Sequence, residues 1–423
     1  MNNKLLEKVK IIDPVTSKEQ TADVLIIDGK IEAIATELKD VPETVSRRDC
    51  RGLILAPGLV DLYSHSGEPG HEDRETLSSL AAAAIAGGFT RLTILPDTVP
   101  PIDNPSSLAW LKKGDNHSKS SPTLPHFYFW GALTQAIKGE QMTELADLAA
   151  AGAIGFTDGH PVANLGLLRR LLEYLQPLDK PVALMAADGH LKGNGVMREG
   201  TLSIRAGLPG DPEISEAAAL AAILEVVAAT GTAVHLMRIS TARGVELIAE
   251  AKQRGLPVTA STTWMHLLLD SKVVASYDPN LRLEPPLGNL KDREALVRGV
   301  KAGIVDAIAI DHAPYTYEEK TVAFACAPPG AIGLELALPL LWQEFVATKE
   351  WSALELWQAL TVAPCRCLQQ PPASFQVGEK AELILFDPEQ TWTVNQTNLK
   401  SKSANTFWLG KQVTGKVVQV WNE

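Results

Sequence analysis

The feature that most constrains the fold is a regular alternation of short apolar runs with stretches of helical periodicity. The apolar runs lie at 55–66, 89–96, 124–133, 152–159, 181–189, 232–240, 257–267 and 306–314. Segments with helical spacing, such as 74–88, 212–231 and 241–255, separate them. Such alternation favours parallel strands joined by crossover helices. Eight units of this kind predict an α/β fold, a (β/α)8 TIM-type barrel over residues 55–372.

The two ends of the chain have a different pattern. Residues 1–54 contain short strand-like runs with a hairpin signal at Asp28-Gly29, and strand-like runs return at 380–394 and 406–421. A chain of 423 residues also exceeds what one core usually serves. We therefore expect residues 1–54 and 373–423 to form one discontinuous, β-sandwich-like module beside the barrel.

Charge and composition exclude several classes of function. The chain has 39 Lys+Arg against 50 Asp+Glu, which gives a net charge of -11. It therefore lacks the positive electrostatic field that would attract nucleic acids or anionic membranes. Its 4 cysteines include no CxxC pair, which excludes a disulfide framework. No run approaches ~18 uninterrupted apolar residues, and the start lacks the apolar core of an export signal. These features predict a cytoplasmic protein with no nucleic-acid or membrane partner.

Polar residues close several of the predicted barrel strands. His65 ends the first run, Asp158 the fourth and Asp311 the eighth. Catalytic groups of such barrels lie at the carboxyl ends of the strands. The sequence therefore predicts that two carboxylates and one histidine face each other at the barrel mouth.

Motifs along almost the whole chain carry a family resemblance. They include APGLVDLYSHSGEPG (56–70), GFTDGHPV (155–162), EPPLGNLKDREAL (284–296), AIDHAPY (309–315) and KSANTFWLGKQVTGKV (402–417). With these segments the chain resembles a dihydroorotase of the amidohydrolase superfamily, in the branch that also contains allantoinase and hydantoinase-like enzymes. The resemblance implies a barrel with a divalent metal centre, zinc in the family.

Half of the metal-ligand positions that the resemblance implies are lost. The family uses an HxH pair, a bridging carboxylate, two further histidines and an aspartate that is the general acid and base. The residues at these positions are Tyr63 and His65, Asp158, Met185 and Arg238, and Asp311. His65, Asp158 and Asp311 keep the family's residue type, whereas Tyr63, Met185 and Arg238 do not.

The substituted residues are poor replacements for metal ligands. A thioether such as that of Met185 is a soft, weak donor for zinc, and the Arg238 guanidinium cannot deprotonate to bind a metal. We therefore expect no catalytic zinc in this chain. Arg238 is predicted to take the place of the cation by forming an ion pair with Asp311 or Asp158, because unpaired carboxylates are costly in a barrel mouth.

The family's substrate-binding positions are substituted as well. The arginine that follows HxH falls on Gly67, two asparagines fall on Asp97 and Glu284, and the histidine closing the D-H-A-P-H motif falls on Tyr315. A second arginine, in the N-P-P-L-R stretch, falls on Gly288. Exchanging cations and neutral amides for glycine and carboxylates is expected to repel an anionic substrate such as dihydroorotate or carbamoyl aspartate.

These losses lead to a functional prediction. Some members of the family are inactive dihydroorotase-like chains that assemble with aspartate carbamoyltransferase. The resemblance thus predicts a non-catalytic protein of pyrimidine biosynthesis, a pseudoenzyme working in a homo- or hetero-oligomer with that partner. The alternatives are an active metal-dependent dihydroorotase or cyclic amidohydrolase with an atypical site, and a ligand-binding protein that kept the pocket and lost the chemistry.

Overall fold

The computed structural model describes residues 3–118 and 124–422. Its strands are β1 (Lys4–Asp13), β2 (Lys18–Ile27), β3 (Lys30–Ala35), β4 (Ser46–Asp49), β5 (Ile54–Pro57), β6 (Leu59–Ser64), β7 (Phe89–Ile94), β8 (His126–Phe129), β9 (Ala183–Met185), β10 (Met197–Arg198), β11 (Gly210–Asp211), β12 (Val234–Met237), β13 (Val258–Thr263), β14 (Ala307–Ala309), β15 (Glu382–Thr393) and β16 (Gln412–Asn422).

Its α-helices are α1 (Leu77–Gly87), α2 (Pro105–Ser118), α3 (Leu145–Ala150), α4 (Leu165–Leu175), α5 (Gly189–Lys192), α6 (Thr201–Ala206), α7 (Glu213–Thr230), α8 (Ala242–Gln253), α9 (Trp264–Leu268), α10 (Leu290–Lys301), α11 (Tyr317–Lys320), α12 (Ala337–Leu341), α13 (Ala353–Trp357) and α14 (Ala363–Cys367). The helical segments predicted at 74–88, 212–231 and 241–255 correspond to α1, α7 and α8, with ends shifted by a few residues.

A barrel of parallel strands forms the centre of the structure, and the predicted fold class is confirmed. Strands β6, β7 and β8 form one sheet, and β9, β12, β13 and β14 form the other. Phe156 links the two sheets by bridging to Gly131 and Val182. On the opposite side the ring closes where Asp311 N donates to Tyr63 O at 3.2 Å and His65 N donates to His312 O at 2.8 Å.

Three of the predicted barrel strands differ in detail. The run 55–66 is divided between β5 and β6, because the chain changes pairing partner there, from β15 to β7. The run 152–159 contributes only the bridges at Phe156. The end of the run 257–267 is helix α9, whose first four residues are buried. A fully buried helix turn and a buried strand look alike in an apolar sequence pattern.

A second sheet joins both ends of the described chain. It has seven strands in the order β16-β15-β5-β1-β2-β3, with β4 paired to β1. Its core contains residues from both ends, including Leu6, Val24, Leu385 and Trp421. The boundary predicted between residues 54 and 55 lies inside β5, which pairs with β1 and β15 and so belongs to this sheet.

The helices and the cysteines were compared with the features of membrane-spanning and disulfide-bonded proteins. Over the described ranges, no helix combines the length and the apolar character needed to span a bilayer. Cys50, Cys326, Cys365 and Cys367 are all free thiols, and only Cys326 is exposed.

Candidate functional site

The candidate site is built where four barrel strands end. His65 follows β6 and Asp97 lies just beyond β7, while Arg238 directly follows β12 and Asp311 comes two residues after β14. Arg238 has a φ of 55° and Asp311 a φ of 53°. Left-handed backbone is uncommon for residues other than glycine and marks places where the surrounding structure imposes a turn. At both strand ends the side chain is directed into the barrel mouth.

Arg238 and Asp311 form a buried, two-point ion pair. Arg238 Nε donates to Asp311 Oδ2 at 2.9 Å, and Nη2 donates to Oδ1 at 2.6 Å. The third guanidinium nitrogen, Nη1, donates to the Gly159 carbonyl at 2.8 Å. Burial alone would raise the pKa of Asp311, but Arg238 and His65 outweigh it and hold the pKa well below its usual range. Of the two partners predicted for Arg238, the structure selects Asp311.

Asp158 does not face Asp311, contrary to the prediction. Its Oδ1 accepts from Thr134 N at 2.9 Å and its Oδ2 accepts from Thr134 Oγ1 at 2.6 Å. Burial raises the pKa of Asp158, and the Thr134 hydrogen bonds offset part of that rise. The backbone N–H and hydroxyl of Thr134 therefore satisfy this carboxylate, and Asp311 takes no part.

His65 connects the ion pair to a second carboxylate. Its Nδ1 lies 2.5 Å from Asp97 Oδ2, and its Nε2 lies 3.6 Å from Asp311 Oδ1. Burial opposes the charged imidazole, but the two carboxylates outweigh burial and raise the pKa of His65 to about 9. Arg238, His65, Asp311 and Asp97, which we call the charged quartet, therefore combine two cations with two carboxylates and are neutral together.

The residues at the other lost ligand positions pack around Arg238. Tyr63 is fully buried, its hydroxyl lies 2.9 Å from Ser261 Oγ, and it accepts a hydrogen bond from Arg238 N at 3.1 Å. The Arg238 guanidinium carbon lies 5.4 Å from the centre of the Tyr63 ring. Met185 Sδ lies 3.5 Å from Arg238 Nη1. Both side chains thus contribute to a cradle for the guanidinium.

This donor set does not fit the zinc that the resemblance implies. Within the two described ranges, no group of three or more His, Cys, Asp or Glu side chains is arranged to hold a metal ion. A dication beside Asp311 would be repelled by Arg238, and it would have to displace two charge-assisted hydrogen bonds. Asp158 has both carboxylate oxygens engaged elsewhere. We therefore assign no chemical step to a metal.

The two glycines at the family's arginine positions have no room for a side chain. A Cβ atom on Gly67 would lie 2.4 Å from the carbonyl oxygens of both His71 and Glu75. A Cβ atom on Gly288 would lie 2.5 Å from Asp292 Cβ and 2.9 Å from Ser240 O. Backbone and side-chain atoms surround both positions closely, so an arginine cannot be accommodated at either one unless its neighbours move.

The carboxylates at the substituted substrate positions are not free, which corrects the expectation that both would repel an anion. Glu284 contacts Lys192 through a short ion pair and lies 3.7 Å from Arg282 Nη1. Asp97 is neutralised by His65 in the same way. Tyr315, at the remaining position, lies with its ring 4.8 Å from the Arg74 guanidinium carbon.

A small cavity remains at the barrel mouth. It has a volume of about 280 Å³ and is lined by the charged quartet together with His160, Trp264, His266, Glu284 and Tyr315. Burial lowers the pKa of His266 to about 4, and its Nδ1 lies 2.7 Å from Thr263 Oγ1. His266 is therefore neutral at pH 7.

Sequence reasoning missed three partners in this region. Lys192 pairs with Glu284, Thr134 holds Asp158, and Asp97 pairs with His65 instead of facing a substrate. The only sequence signal was indirect: a carboxylate that replaces a neutral amide in a buried site needs a positive partner. The sequence does not say which residue supplies it.

Solved structures share this architecture over nearly the whole chain. The L-hydantoinase (dihydropyrimidinase) from Arthrobacter aurescens matches with a TM-score of 0.85 and 21% identity, covering 100% of this chain and 97% of that one. The dihydropyrimidinase from Brevibacillus agri matches with a TM-score of 0.81 and 21% identity, covering 99% and 94%. At this level of identity the likeness establishes the fold alone, a barrel of parallel strands with a β-sheet domain beside it.

Sequence relatives then define the family. A probable dihydroorotase-like protein of Synechocystis sp. is 46% identical over 445 residues, covering 99% of each chain. A dihydroorotase of Syntrophus aciditrophicus is 37% identical over 415 residues, covering 98% of this chain and 96% of that one. The sequence model described as Dihydro-orotase-like matches residues 52–244. This chain belongs to the dihydroorotase-like family.

The charge on His65 gives a prediction that can be measured directly. Because its pKa is raised from the ordinary 6.5 to about 9, His65 is expected to be protonated at pH 7.5. The stability it contributes should be complete below about 6.5 and should be lost as the pH rises through about 9. Histidine-selective NMR titration measures this pKa, and Asp97→Asn should lower it.

An internal control for this titration is His235. Burial lowers the pKa of its imidazole to about 3, so its signals should stay constant over the same range. A His65 titration midpoint at or below 6.5 would contradict the proposed charge distribution of the quartet.

Proposed function

We propose that this chain is a non-catalytic dihydroorotase-like protein of pyrimidine biosynthesis that supports aspartate carbamoyltransferase. The observation that carries the proposal is the two-point ion pair between Arg238 and Asp311. It places a fixed organic cation at one of the family's ligand positions and binds the residue that the family uses as its general acid and base. Arg238 therefore replaces a metal ligand and at the same time occupies Asp311, the residue that would accept the proton.

The loss is large in energetic terms. Metal binding lowers the pKa of water from 15.7 to about 7, which corresponds to about 12 kcal/mol of nucleophile activation. A general base alone contributes about 3–5 kcal/mol. Asp311 is a weak base even for that role, because Arg238 and His65 hold its pKa well below its usual range. Hydrolysis or formation of a cyclic amide at a useful rate is not expected from these groups.

Substrate binding supports the same conclusion. In the family the arginines at positions 67 and 288 are expected to contact the anionic substrate, and here both positions are glycines enclosed by backbone and side-chain atoms. Among the described residues that line the remaining cavity of about 280 Å³, the two cations Arg238 and His65 are matched by Asp311 and Asp97. A dianionic substrate would have to break these pairs to bind.

What is preserved is the scaffold. The chain retains the barrel and the two-ended β-sheet at nearly full length relative to the dihydroorotase of Syntrophus aciditrophicus. A fold kept while its reactive groups are replaced is consistent with a role that depends on surfaces. The resemblance to inactive family members that assemble with aspartate carbamoyltransferase supplies the proposed partner.

Three measurements on the purified chain test this proposal. We expect less than about 0.1 equivalent of zinc by plasma mass spectrometry, no cyclisation of carbamoyl aspartate with or without added zinc, and a stable complex with the same organism's aspartate carbamoyltransferase. The Syntrophus aciditrophicus dihydroorotase is the matched positive control for the first two. Stoichiometric zinc with turnover would overturn the non-catalytic role, and absence of a complex would overturn the supporting role.

A further inference from the structure

The loop between β15 and β16 crosses the barrel beside its mouth. We call residues 399–408 of this loop the strap. Alternate side chains at its start are buried, namely those of Leu399, Ser401, Ser403 and Asn405. Asn405 Nδ2 donates to Ala313 O at 2.9 Å, and its Oδ1 accepts from Tyr315 N at 3.1 Å. Because Ala313 and Tyr315 line the cavity at the barrel mouth, the strap supports one wall of that cavity.

Two buried carboxylates hold the first residues of the strap. Glu335 Oε1 accepts from Lys400 N at 2.8 Å and from Ser401 N at 3.0 Å. Glu75 Oε1 accepts from Lys402 N at 2.9 Å, and its Oε2 accepts a short hydrogen bond from Ser401 Oγ. Glu75 is fully buried and Glu335 is 8% exposed. Three consecutive peptide N–H groups of the strap are therefore bound by the two carboxylates, which we call the clasp.

The other groups around the clasp do not place a buried cation on Glu335. His312 Nε2 lies 3.5 Å from Glu75 Oε2, while its Nδ1 accepts from Gly333 N at 3.2 Å. Lys400 and Lys416 share a cavity of about 290 Å³ with Glu335, but both lysines are exposed, and in the described chain neither forms an ion pair with it. The other neighbours in this cavity include Ala86 and Gly87 at the end of α1 and Pro339 of α12.

The two carboxyl groups of the clasp differ in their affinity for protons. Burial, with a smaller contribution from the charge of Glu75, raises the pKa of Glu335 from its ordinary 4.5 to about 7. The hydrogen bonds from Ser401 and Lys400 offset only part of that rise. Burial also opposes the charge of Glu75, but His312 and Ser401 outweigh burial and lower its pKa. At pH 7 Glu75 is therefore ionised, whereas Glu335 is partly protonated.

We propose that Glu75 and Glu335 form a proton-controlled clasp, which fixes the strap to the barrel at mildly acidic pH and releases it as the pH rises. When the strap is closed, ionisation of Glu335 places a second buried negative charge beside Glu75, which is costly. When the strap opens, the Glu335 carboxylate reaches water and gives its proton to the solvent. Opening also withdraws Asn405 from the cavity wall. This device is independent of the partner proposed above.

The direction and range of the pH dependence follow from the two states of Glu335. In the open strap its pKa returns to about 4.5, and in the closed strap it is about 7. The closed strap binds the proton more tightly, so its stabilisation is complete below about 4.5 and is lost as the pH rises through about 7. Within this range the equilibrium between closed and open strap should shift by up to about tenfold per pH unit.

Hydrogen exchange of the full chain, followed by mass spectrometry from pH 5 to 8.5, tests the clasp. After correction for the intrinsic pH dependence of amide exchange, the protection of residues 400–403 should fall at least about tenfold between pH 5 and 7 and then level off. Helix α8 is the internal control and should not follow this course. Glu335→Gln, which cannot ionise, should keep the strap protected at pH 8. The matched control Glu379→Gln alters an exposed carboxylate and should leave the pH dependence unchanged.

The outcomes decide whether Glu335 is the group responsible. A fall in protection that is confined to the strap and absent in Glu335→Gln supports the clasp. Constant protection in the unaltered chain overturns it, and so does the same pH dependence in Glu335→Gln, which would assign the titration to another group such as Asp61 or Lys320. Circular dichroism checks folding. If Glu335→Gln is unfolded, Glu75→Gln decides, because removing the neighbouring charge should move the transition to lower pH, and an unmoved transition overturns the clasp.

Discussion

Arg238→Met is expected to lower the free energy of unfolding by about 3–5 kcal/mol. The substitution keeps much of the side-chain volume but leaves Asp311 charged, largely buried and without its two-point partner. The hydrogen bond that Arg238 Nη1 donates to the Gly159 carbonyl is lost as well. Urea unfolding followed by tryptophan fluorescence measures the change at pH 7.5.

A second variant distinguishes pairing from packing. Arg238→Met combined with Asp311→Leu removes both charges, so much of the stability lost in the single variant should return. Arg169→Met is the matched control, since Arg169 pairs with Glu173 on the surface and exposed pairs contribute about 0–1 kcal/mol. A loss below about 1 kcal/mol for Arg238→Met would show that Asp311 does not depend on this guanidinium.

The triple variant Tyr63→His, Met185→His, Arg238→His is expected to bind about one equivalent of zinc, which we do not expect of the unaltered chain. The three changes replace a phenol, a thioether and a cation with imidazoles beside His65 and Asp311, and they remove the repulsion that Arg238 exerts. Zinc content after dialysis and a zinc-dependent rise in melting temperature measure the gain.

The same variant is expected to remain inactive toward carbamoyl aspartate. Gly67 and Gly288 still lack the arginines of the family, and their surroundings do not accommodate a Cβ atom. Tyr63→His with Met185→His, which retains Arg238, is the control and should not acquire zinc. Turnover by the triple variant would show that the barrel mouth can still bind the substrate, and failure to bind zinc would show that Asp158 and Asp311 can no longer act as ligands.

The general fold was accessible from sequence because it depends on repetition. The alternation of apolar runs and helical segments predicted the barrel, and the strand-like ends predicted a β-module built from both. Boundaries were less accessible where pairing partners change. The run 55–66 has continuous apolar character, yet Gly58 separates a strand that pairs with β15 from one that pairs with β7.

The sequence predicted which metal-ligand positions of the site are lost. It predicted much less well which partners the remaining side chains have instead. The motifs located Tyr63, Met185 and Arg238 as substitutions, and electrostatics predicted that Arg238 would find a carboxylate. The choice of Asp311 over Asp158 depends on Thr134, whose backbone and hydroxyl satisfy Asp158 from a neighbouring strand end. Pairs between residues far apart in sequence follow from three-dimensional placement and leave no local pattern.

The sheet that joins both ends of the described chain has a consequence for the order of events during synthesis. Strand β5 pairs with β15, with Leu55 opposite Leu385, so the first of these strands leaves the ribosome long before its neighbour exists. At typical translation rates of about 5–20 residues per second, the delay is roughly 20–70 s. Throughout that interval this edge of β5 is unpaired while the barrel is being made, which leaves it open to wrong pairing and to chaperones.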